Sequence, residues 1–532
     1  ALQNRIDEFN NTSTVNSNSS FIDLGPMEKD VLSTVRKILR NPEVYIKSNF
    51  FAEGGDSIKS IQIATELAQK GYNISSVDIL KSNSIGDICK SKLKSKEKYN
   101  QSPIIGSIDL TPIQKWFFDH KFHNINFWNQ SEVFDVEGEY SKEDFREYFN
   151  KIRLKHDNIR IKFKKENDNW TAKIRKNNLS ELDREFTFIK MLEIESQQLQ
   201  NKTNEIKQEL NESLDIEEGL LNKICIIQYG QTNFRVIWVM HHLICDNISW
   251  SILKSDLLFL LDKENNSDLL HKETNIKQWT DYLKQYEISE ETRTIWKNYI
   301  GNLDNLDNGF VEQNINSPMS MKVLDNYFVA ERLLDYLEKQ NISLDLFWLV
   351  VFGRSIAKAL DKETIWISKE SNGRNNHPDN IQLDRLVGWL TAMYPIAVEN
   401  HRTLKESLSS NQFSIEQMSS IGFDYQNIYS KFQTANISFN YLGDIESEGE
   451  FANIVATSDI NRFDFFDEIA LNVIRFNKKF VLIMMFKERN SSVVEKIIDF
   501  IEEDISDDFD QEHGVLGFGL SQDTIISLED LF

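Results

Sequence analysis

The segment Phe234 to Met240 (FRVIWVM) is almost wholly apolar and runs straight into two histidines. An apolar run of this length without alternation is the mark of a strand buried on both faces. Such a strand constrains the chain more than any other feature, because its sheet must be covered on each side. Helical periodicity follows at once, with Ile252, Leu253, Leu257 and Leu260 on one face. Leu346 to Leu360 reads as another buried helix and Phe480 to Phe486 as another central strand. These elements predict an α/β architecture of two layered halves.

The chain has 532 residues, enough for about three or four folding units. Its formal charge is −23, which excludes nucleic acid as a natural partner, since phosphate binding needs clustered Lys and Arg. Cys89, Cys225 and Cys245 have no metal-like spacing and no even pairing, the usage of a reducing, cytoplasmic setting. Cys245 reads as a small core residue. No apolar run approaches a membrane span. The chain begins at Ala1 rather than Met, which reads as a piece of a larger protein.

Residues 1–20 are rich in Asn, Ser and Thr and read as a linker. A helix opens at Pro26 with Val31, Val35, Ile38 and Leu39 on one face. A second opens at Ser57, carries Ile58, Ile61, Ala64 and Leu67, and stops near Gly71. Two short pieces, Ser76 to Leu80 and Ser84 to Lys92, complete a small helical bundle. The Lys- and Ser-rich stretch Lys92 to Asn100 is a natural linker before a long α/β region from about Ser107.

Two stretches carry chemistry. In GGDSI (Gly54 to Ile58) the glycines free the backbone and clear side chains from a serine at a helix start. That place suits a phosphodiester, and it equally suits an ordinary N-cap. In HHLICDNISW (His241 to Trp250) a histidine at a strand end is a proton acceptor near neutral pH. Adjacent strand residues point to opposite faces, so only one of His241 and His242 addresses a given cleft. Asp246 is placed to fix the loop or orient an imidazole. No third ligand is spaced to suggest a metal.

NFFAEGGDSIKS (Asn49 to Ser60) resembles the attachment site of peptidyl carrier proteins in nonribosomal peptide synthetases. The resemblance implies 4'-phosphopantetheine on Ser57, in a four-helix carrier over residues 21–93. Asp56 before that serine is the form typical of carriers that feed epimerization domains. HHLICDNISW resembles the HHxxxDxxSW signature of those domains, relatives of condensation domains. TPIQKWFF (Thr111 to Phe118), RLVGWLTAMYP (Arg385 to Pro395) and FNYLG (Phe439 to Gly443) follow in the family's order. Two motifs depart: EGHGRE appears as ESNGRN, keeping Glu370, Gly373 and Arg374 but not Ser371, Asn372 or Asn375, and a glycine-rich motif is reduced to GFDY at Gly422 to Tyr425.

The resemblance implies a linker at 94–106 and an epimerization domain at 107–532. Its fold is a V of two chloramphenicol-acetyltransferase-like lobes, about 107–276 and 277–532, with a tunnel between. His242 and Glu370 then act on opposite faces of a thioester's Cα, with Tyr441 and Asn440 stabilising the enolate or relaying a proton. His241, Asp246, Ser249 and Arg374 support them, and neither lobe is active alone. Trp116, Trp250, Trp389 and Arg385 read as packing or loop-holding groups. No metal is called for. Expected partners are the chain's own loaded carrier, an upstream adenylation domain and a downstream condensation domain, with the piece itself a monomer. Two rival readings are amide formation between two carriers and a catalytically dead docking module. The substrate side chain is not legible, and SLEDLF (Ser527 to Phe532) leads either to a docking helix or to a simple helix end.

Overall fold

Helix α1 (Pro26–Leu39) begins with proline inside its first turn and ends at Arg40, whose φ of 52° breaks the helical run. With α2 (Ser57–Gln69), α3 (Ser76–Leu80) and α4 (Ile85–Lys90) it forms the expected four-helix bundle. Val31, Val35, Phe50, Ile63, Leu67, Ile79, Ile85 and Ile88 fill its core. Gly71, at φ 90°, follows α2 as the sequence predicts. The computed structural model describes residues 24–50, 53, 55, 57–72, 74–82, 84–90, 102–262, 274–287, 289–291, 293–294, 298, 308, 310, 318–327, 331–340, 342–374, 381–418, 436–445, 467–476 and 479–510. The expectations for residues 1–20, Asp56, Lys92–Asn100, Asn375, Gly422–Tyr425 and Ser527–Phe532 lie outside these, as does the side chain of Ser57.

The first lobe contains, in chain order, β1 (Gly106–Ile108), α5 (Pro112–Asp119), β2 (Asn129–Glu137), α6 (Lys142–Lys155), β3 (Ile161–Glu166), β4 (Asn169–Ile174), α7 (Leu179–Glu185), β5 (Phe186–Lys190), α8 (Ser196–Glu212), β6 (Asn222–Gln228), β7 (Asn233–His241), α9 (Asn247–Leu261) and α10 (Ile276–Gln285). Its main sheet has the order β2-β7-β6-β5, with a small sheet β1-β4-β3 beside it. The run Phe234 to Met240 lies in the interior strand β7. Ile237 and Val239 pack against α8, while Phe234, Val236, Trp238 and Met240 join the main core. Burial on both faces is why the sequence carries no polar alternation there.

The second lobe contains β8 (Met319–Tyr327), α11 (Glu331–Lys339), α12 (Leu344–Ala359), β9 (Thr364–Ser371), β10 (Ala392–Glu399), α13 (Leu404–Met418), β11 (Ile437–Ile445), β12 (Ile469–Phe476), β13 (Lys479–Lys487) and α14 (Ser491–Asp510). One sheet of order β10-β9-β11-β12-β13-β8 holds its strands, with β9, β11 and β12 parallel. The helix expected at Leu346 to Leu360 is α12, buried continuously from Leu346 to Ala357 between this sheet and α14.

The lobe boundary needs correction. A division at Lys277 falls inside α10, which buries Ile276 and Trp279 in the first core. The first lobe therefore extends through Gln285. Its core also takes Ile381, Leu383, Leu386, Val387, Trp389 and Leu390, so a late segment of the chain crosses back onto the first lobe. The carrier sits on that lobe as well: Ile61 of α2 enters the same core.

Candidate active site

Strand β7 ends at His241, and a short 3-10 turn carries His242 to Ile244 before α9 starts. The change from strand to turn separates the two histidines. His241 is fully buried: Nε2 donates to the Ile125 carbonyl at 2.7 Å, and Nδ1 accepts from the Leu243 amide at 3.1 Å. Burial drives its pKa down to about 3, so it stays neutral and holds the turn. His242 Nδ1 lies 2.7 Å from the Cys245 carbonyl, an acceptor, which assigns the neutral ring's proton to Nδ1. Nε2 then keeps its lone pair. Removal from water lowers the pKa of His242 too, so the ring is a neutral proton acceptor.

Trp389 lies against this imidazole, ring centroids 4.2 Å apart and planes 31° off parallel. The sequence predicts a packing role for Trp389. The structure gives it a second duty, since the ring limits how His242 can tilt. Trp116 meets Trp389 edge-on at 6.3 Å, and Trp250 donates to Gln130 at 3.0 Å. Cys245 is buried, as expected of a core residue.

Asp246 ties three motifs together. It caps α9, accepting from the Ser249 amide at 2.8 Å and the Ser249 hydroxyl at 2.7 Å. Arg374 clamps both of its oxygens at 2.6 and 3.0 Å and donates to the Leu386 carbonyl at 3.0 Å. The Leu390 amide reaches Asp246 at 3.3 Å, and the Gly388 amide reaches Ser249 Oγ at 3.0 Å. Gln114, in the capping box of α5, donates to the Leu243 carbonyl at 2.9 Å. The ordered motifs therefore converge as one hydrogen-bonded unit, with Asp246, Ser249 and Arg374 in supporting positions. Gly373 is required here: its φ is 64°, and a Cβ would come 1.6 Å from the Leu390 carbonyl oxygen.

Glu370 comes from the second sheet, near the end of β9. The parallel pairing of Ser438 with Ser368 and Phe439 with Lys369 brings Asn440 level with Glu370, and Asn440 Nδ2 donates to Glu370 Oε2 at 3.2 Å. Burial pushes the Glu370 pKa up to about 7, only partly offset by the Lys369 charge. Lys369 faces the other way, paired with Asp345 at 2.7 Å. Near neutral pH Glu370 is thus poised between acid and carboxylate.

Tyr441 goes elsewhere. Alternation along β11 puts Asn440 on the Glu370 face and Tyr441 on the opposite face with Phe439, against the second core. Of the two residues expected to stabilise the enolate or relay a proton, Asn440 meets Glu370, while Tyr441 lies on the other face of β11.

Two features of the site have no signature in the sequence. Asp467, beside Ser438, is buried with one carboxylate oxygen accepting from Ser438 Oγ at 2.7 Å and the other without a hydrogen-bond partner among the described residues. Burial and then the Glu370 charge, against the Ser438 hydrogen bond, push its pKa to about 8. An acidic pair before an apolar strand, as in Asp467-Glu468, gives no sign of this. The other is Asp256 of α9, which meets His156 at 2.8 Å, Lys155 at 3.2 Å and Arg385. A small cavity lined by Lys155, His156, Thr274, Asn275 and Arg385 adjoins this cluster; neither His242 nor Glu370 lines it. Among the described residues no cluster of His, Cys, Asp and Glu could hold a metal ion, and no helix is long and apolar enough to cross a membrane.

Known proteins support the same partition. A phosphopantetheine attachment site model matches residues 29–91, and a condensation domain model matches residues 104–492. Gramicidin S synthase 1 from Brevibacillus brevis is 27% identical over 448 residues, covering 79% of this chain and 40% of that protein. Surfactin synthase subunit 2 from Bacillus subtilis is 26% identical over 444 residues, 79% of this chain and 12% of that protein. This chain thus spans well under half the length of these relatives. Among solved structures, the epimerization domain from the third module of tyrocidine synthetase B aligns with TM-score 0.60 and 20% identity, covering 77% of this chain and 97% of that one. A condensation domain of the enacyloxin polyketide synthase, described for chain release, aligns with TM-score 0.60 at 11% identity, over 80% of this chain and 87% of that one. At these identities the likeness speaks for the fold. The attachment-site match indicates a covalent 4'-phosphopantetheine. The chain is a phosphopantetheine-bearing carrier domain joined to a member of the condensation-domain family.

Proposed function

We propose that the condensation-family domain epimerises the Cα of an L-aminoacyl or L-peptidyl thioester carried at Ser57, giving an L/D mixture. Inversion needs a group on each face of the Cα, one to remove a proton and one to return it. The observation that carries this reading is the pair of complementary groups from the two lobes. His242 offers an unprotonated Nε2, and Glu370, held by Asn440, binds a proton close to neutral pH.

Ser57 is the first residue of α2, and Ile61, one turn later, enters the first-lobe core beside α9. The arm, when present, presents the substrate as a thioester, whose carbonyl accepts developing negative charge more readily than an amide or carboxylate would. Asn440, with a second amide hydrogen besides the one donated to Glu370, is the candidate donor to that oxygen. His242 removes the proton from the L-face and Glu370 supplies one from the other side, with the roles exchanged in reverse. Within a nonribosomal peptide synthetase this activity would follow an adenylation domain and precede a condensation domain.

The family match gives amide formation between two carriers a specific footing, and the product separates the readings. The carrier is loaded with an L-aminoacyl-phosphopantetheine in deuterated water, and the released amino acid is analysed for mass and chirality. Gain of one deuterium with an L/D mixture, abolished in His242→Ala and in Glu370→Ala, is the expected result. Loss in one variant alone indicates a single-base mechanism. A peptide formed only when a second loaded carrier is added indicates condensation; no exchange on an aminoacyl carrier points to a peptidyl thioester as substrate, and no exchange on a peptidyl carrier either indicates a docking module.

A further inference from the structure

Two rows of polar side chains cross one face of the second sheet. Ile437 and Phe439 of β11 point into the second core, so Ser438 and Asn440 share the other face. On β9 the same alternation sends Ile365 and Ile367 to the core and leaves Ser368 and Glu370 on that other face. The parallel register pairs Ser438 with Ser368 and brings Asn440 level with Glu370. Neighbouring rows lie roughly 6.6 Å apart along the strands. Asp467 Oδ2 accepts from Ser438 Oγ at 2.7 Å, and Glu370 Oε2 accepts from Asn440 at 3.2 Å. The two carboxyl groups are thus held by side chains one pleat apart.

Asp467 is 3% exposed, and its Oδ1 is buried without a hydrogen-bond partner among the described residues. A carboxylate so short of donors is costly, and a second charge close by makes it costlier. Burial above all, then the Glu370 charge against the Ser438 hydrogen bond, pushes the Asp467 pKa to about 8. Lys487 of β13 opposes this rise and Glu468 adds to it. Glu468 is itself paired with Arg489, and Lys369 beside Glu370 is paired with Asp345. On the first lobe, His242 has its pKa lowered by burial and is neutral.

We propose that Asp467 is a positioning residue for the reaction, an acid one pleat from Glu370 whose ionisation competes with that of Glu370, so that Glu370 still offers a proton on the alkaline side of neutral. The inference rests on the reading of Glu370 as the proton donor of an epimerase. Two coupled acids lose their protons in steps that belong to the pair. Whenever Asp467 carries the charge, Glu370 is the harder to ionise. Without Asp467, Glu370 ionises as an isolated group, at lower pH.

Infrared titration of the full chain in deuterated water reads the pair without requiring activity. The protonated-carboxyl band that is lost in Glu370→Gln belongs to Glu370. In Asp467→Asn its midpoint is expected about 0.5 pH unit or more below that of the unaltered chain. An unmoved midpoint would overturn the proposal. The second readout is the initial rate of L-to-D conversion on a substrate tethered at Ser57, which needs Glu370 protonated and so falls as pH rises. That fall should come at lower pH in Asp467→Asn, by the same shift. Ser438→Ala removes the hydrogen bond that favours a charged Asp467, so it should move the fall in the same direction by less, and it decides the matter should Asp467→Asn not fold. A uniform loss of rate at every pH, with the fall in its old place, would make Asp467 merely structural and overturn the role. Absence of conversion on aminoacyl and peptidyl carriers alike would sink the epimerase reading, while the infrared midpoint would still decide the coupling.

Discussion

Asp246 and Glu370 are acidic groups at the two sides of the site, and their surroundings are opposite. Asp246 receives the Ser249 amide and hydroxyl, both terminal nitrogens of Arg374 and the Leu390 amide. Glu370 receives Asn440 alone among the described side chains. A carboxylate surrounded by donors has its geometry fixed, and it has little left for a substrate. One removed from water with few donors keeps an exchangeable proton. Asp256 repeats the first pattern: burial alone would raise its pKa, but Arg385 and Lys155 outweigh it and hold the group well below the usual carboxylate range. Asp467 repeats the second.

The largest expected effect comes from breaking the saturated side. Arg374→Ala leaves Asp246 buried without its clamp and should destabilise the fold by about 3–5 kcal/mol, read as a lowered thermal midpoint. Arg374→Lys keeps the charge but not the planar fork, so it should recover only part of the loss. Unchanged stability in Arg374→Ala would erase the distinction between the two carboxylates.

On the labile side the expectation reverses. Glu370→Gln retains a hydrogen-bonding group beside Asn440 but cannot deliver a proton. Deuterium exchange at Cα should fall roughly 100- to 10,000-fold with no loss of thermal stability. A matching fall in melting temperature would instead class Glu370 with Asp246.

Trp389→Leu should have a smaller effect, since the ring orients His242 without exchanging protons. Loss of one ring contact of about 0.5–1.5 kcal/mol corresponds to roughly a 3- to 10-fold fall in exchange rate. The loss should appear in kcat on free and tethered thioesters alike.

The pH dependence of stability sharpens the contrast most finely. The buried histidines His241 and His156 have pKa values lowered to about 3 and about 4, so the unfolded chain binds protons that the folded one refuses. Their contribution is present above about pH 6.5 and is lost as pH falls toward 4 and 3. Glu370 and Asp467, raised to about 7 and about 8, work in the other direction. Their neutral forms suit the fold, so this contribution is full below about pH 4 and is lost as pH rises through 7 and 8. In Glu370→Gln the decline in denaturant-measured stability between about pH 4.5 and 7 should become shallower; an unchanged slope would contradict the raised pKa.

The motifs were legible in the sequence because they are local. Helix starts at Pro26 and Ser57, the stop at Gly71, and the buried strand Phe234 to Met240 follow from backbone chemistry and apolar spacing within one element. The roles of His242, Asp246, Arg374 and Glu370 were approached through resemblance. The side a residue faces proved harder. Tyr441 and Asn440 are neighbours in FNYLG, and only the pairing of β11 with β9 and β12 puts Asn440 toward Glu370 and Tyr441 toward the core. The lobe boundary failed for a related reason: the residues of α10 show helical spacing, but not which core receives them.

Sequence by itself determined the order of the units, the helices and central strands, and the residue types able to move a proton. Tertiary structure alone decided which carboxylates are saturated and which stay labile, because their partners come from distant parts of the chain. Arg374 reaches Asp246 across 128 positions, and Ser76 reaches Asp384 across 308. Proton affinity depends on those donors and on exclusion of water, and neither is fixed until the lobes and the carrier have packed together.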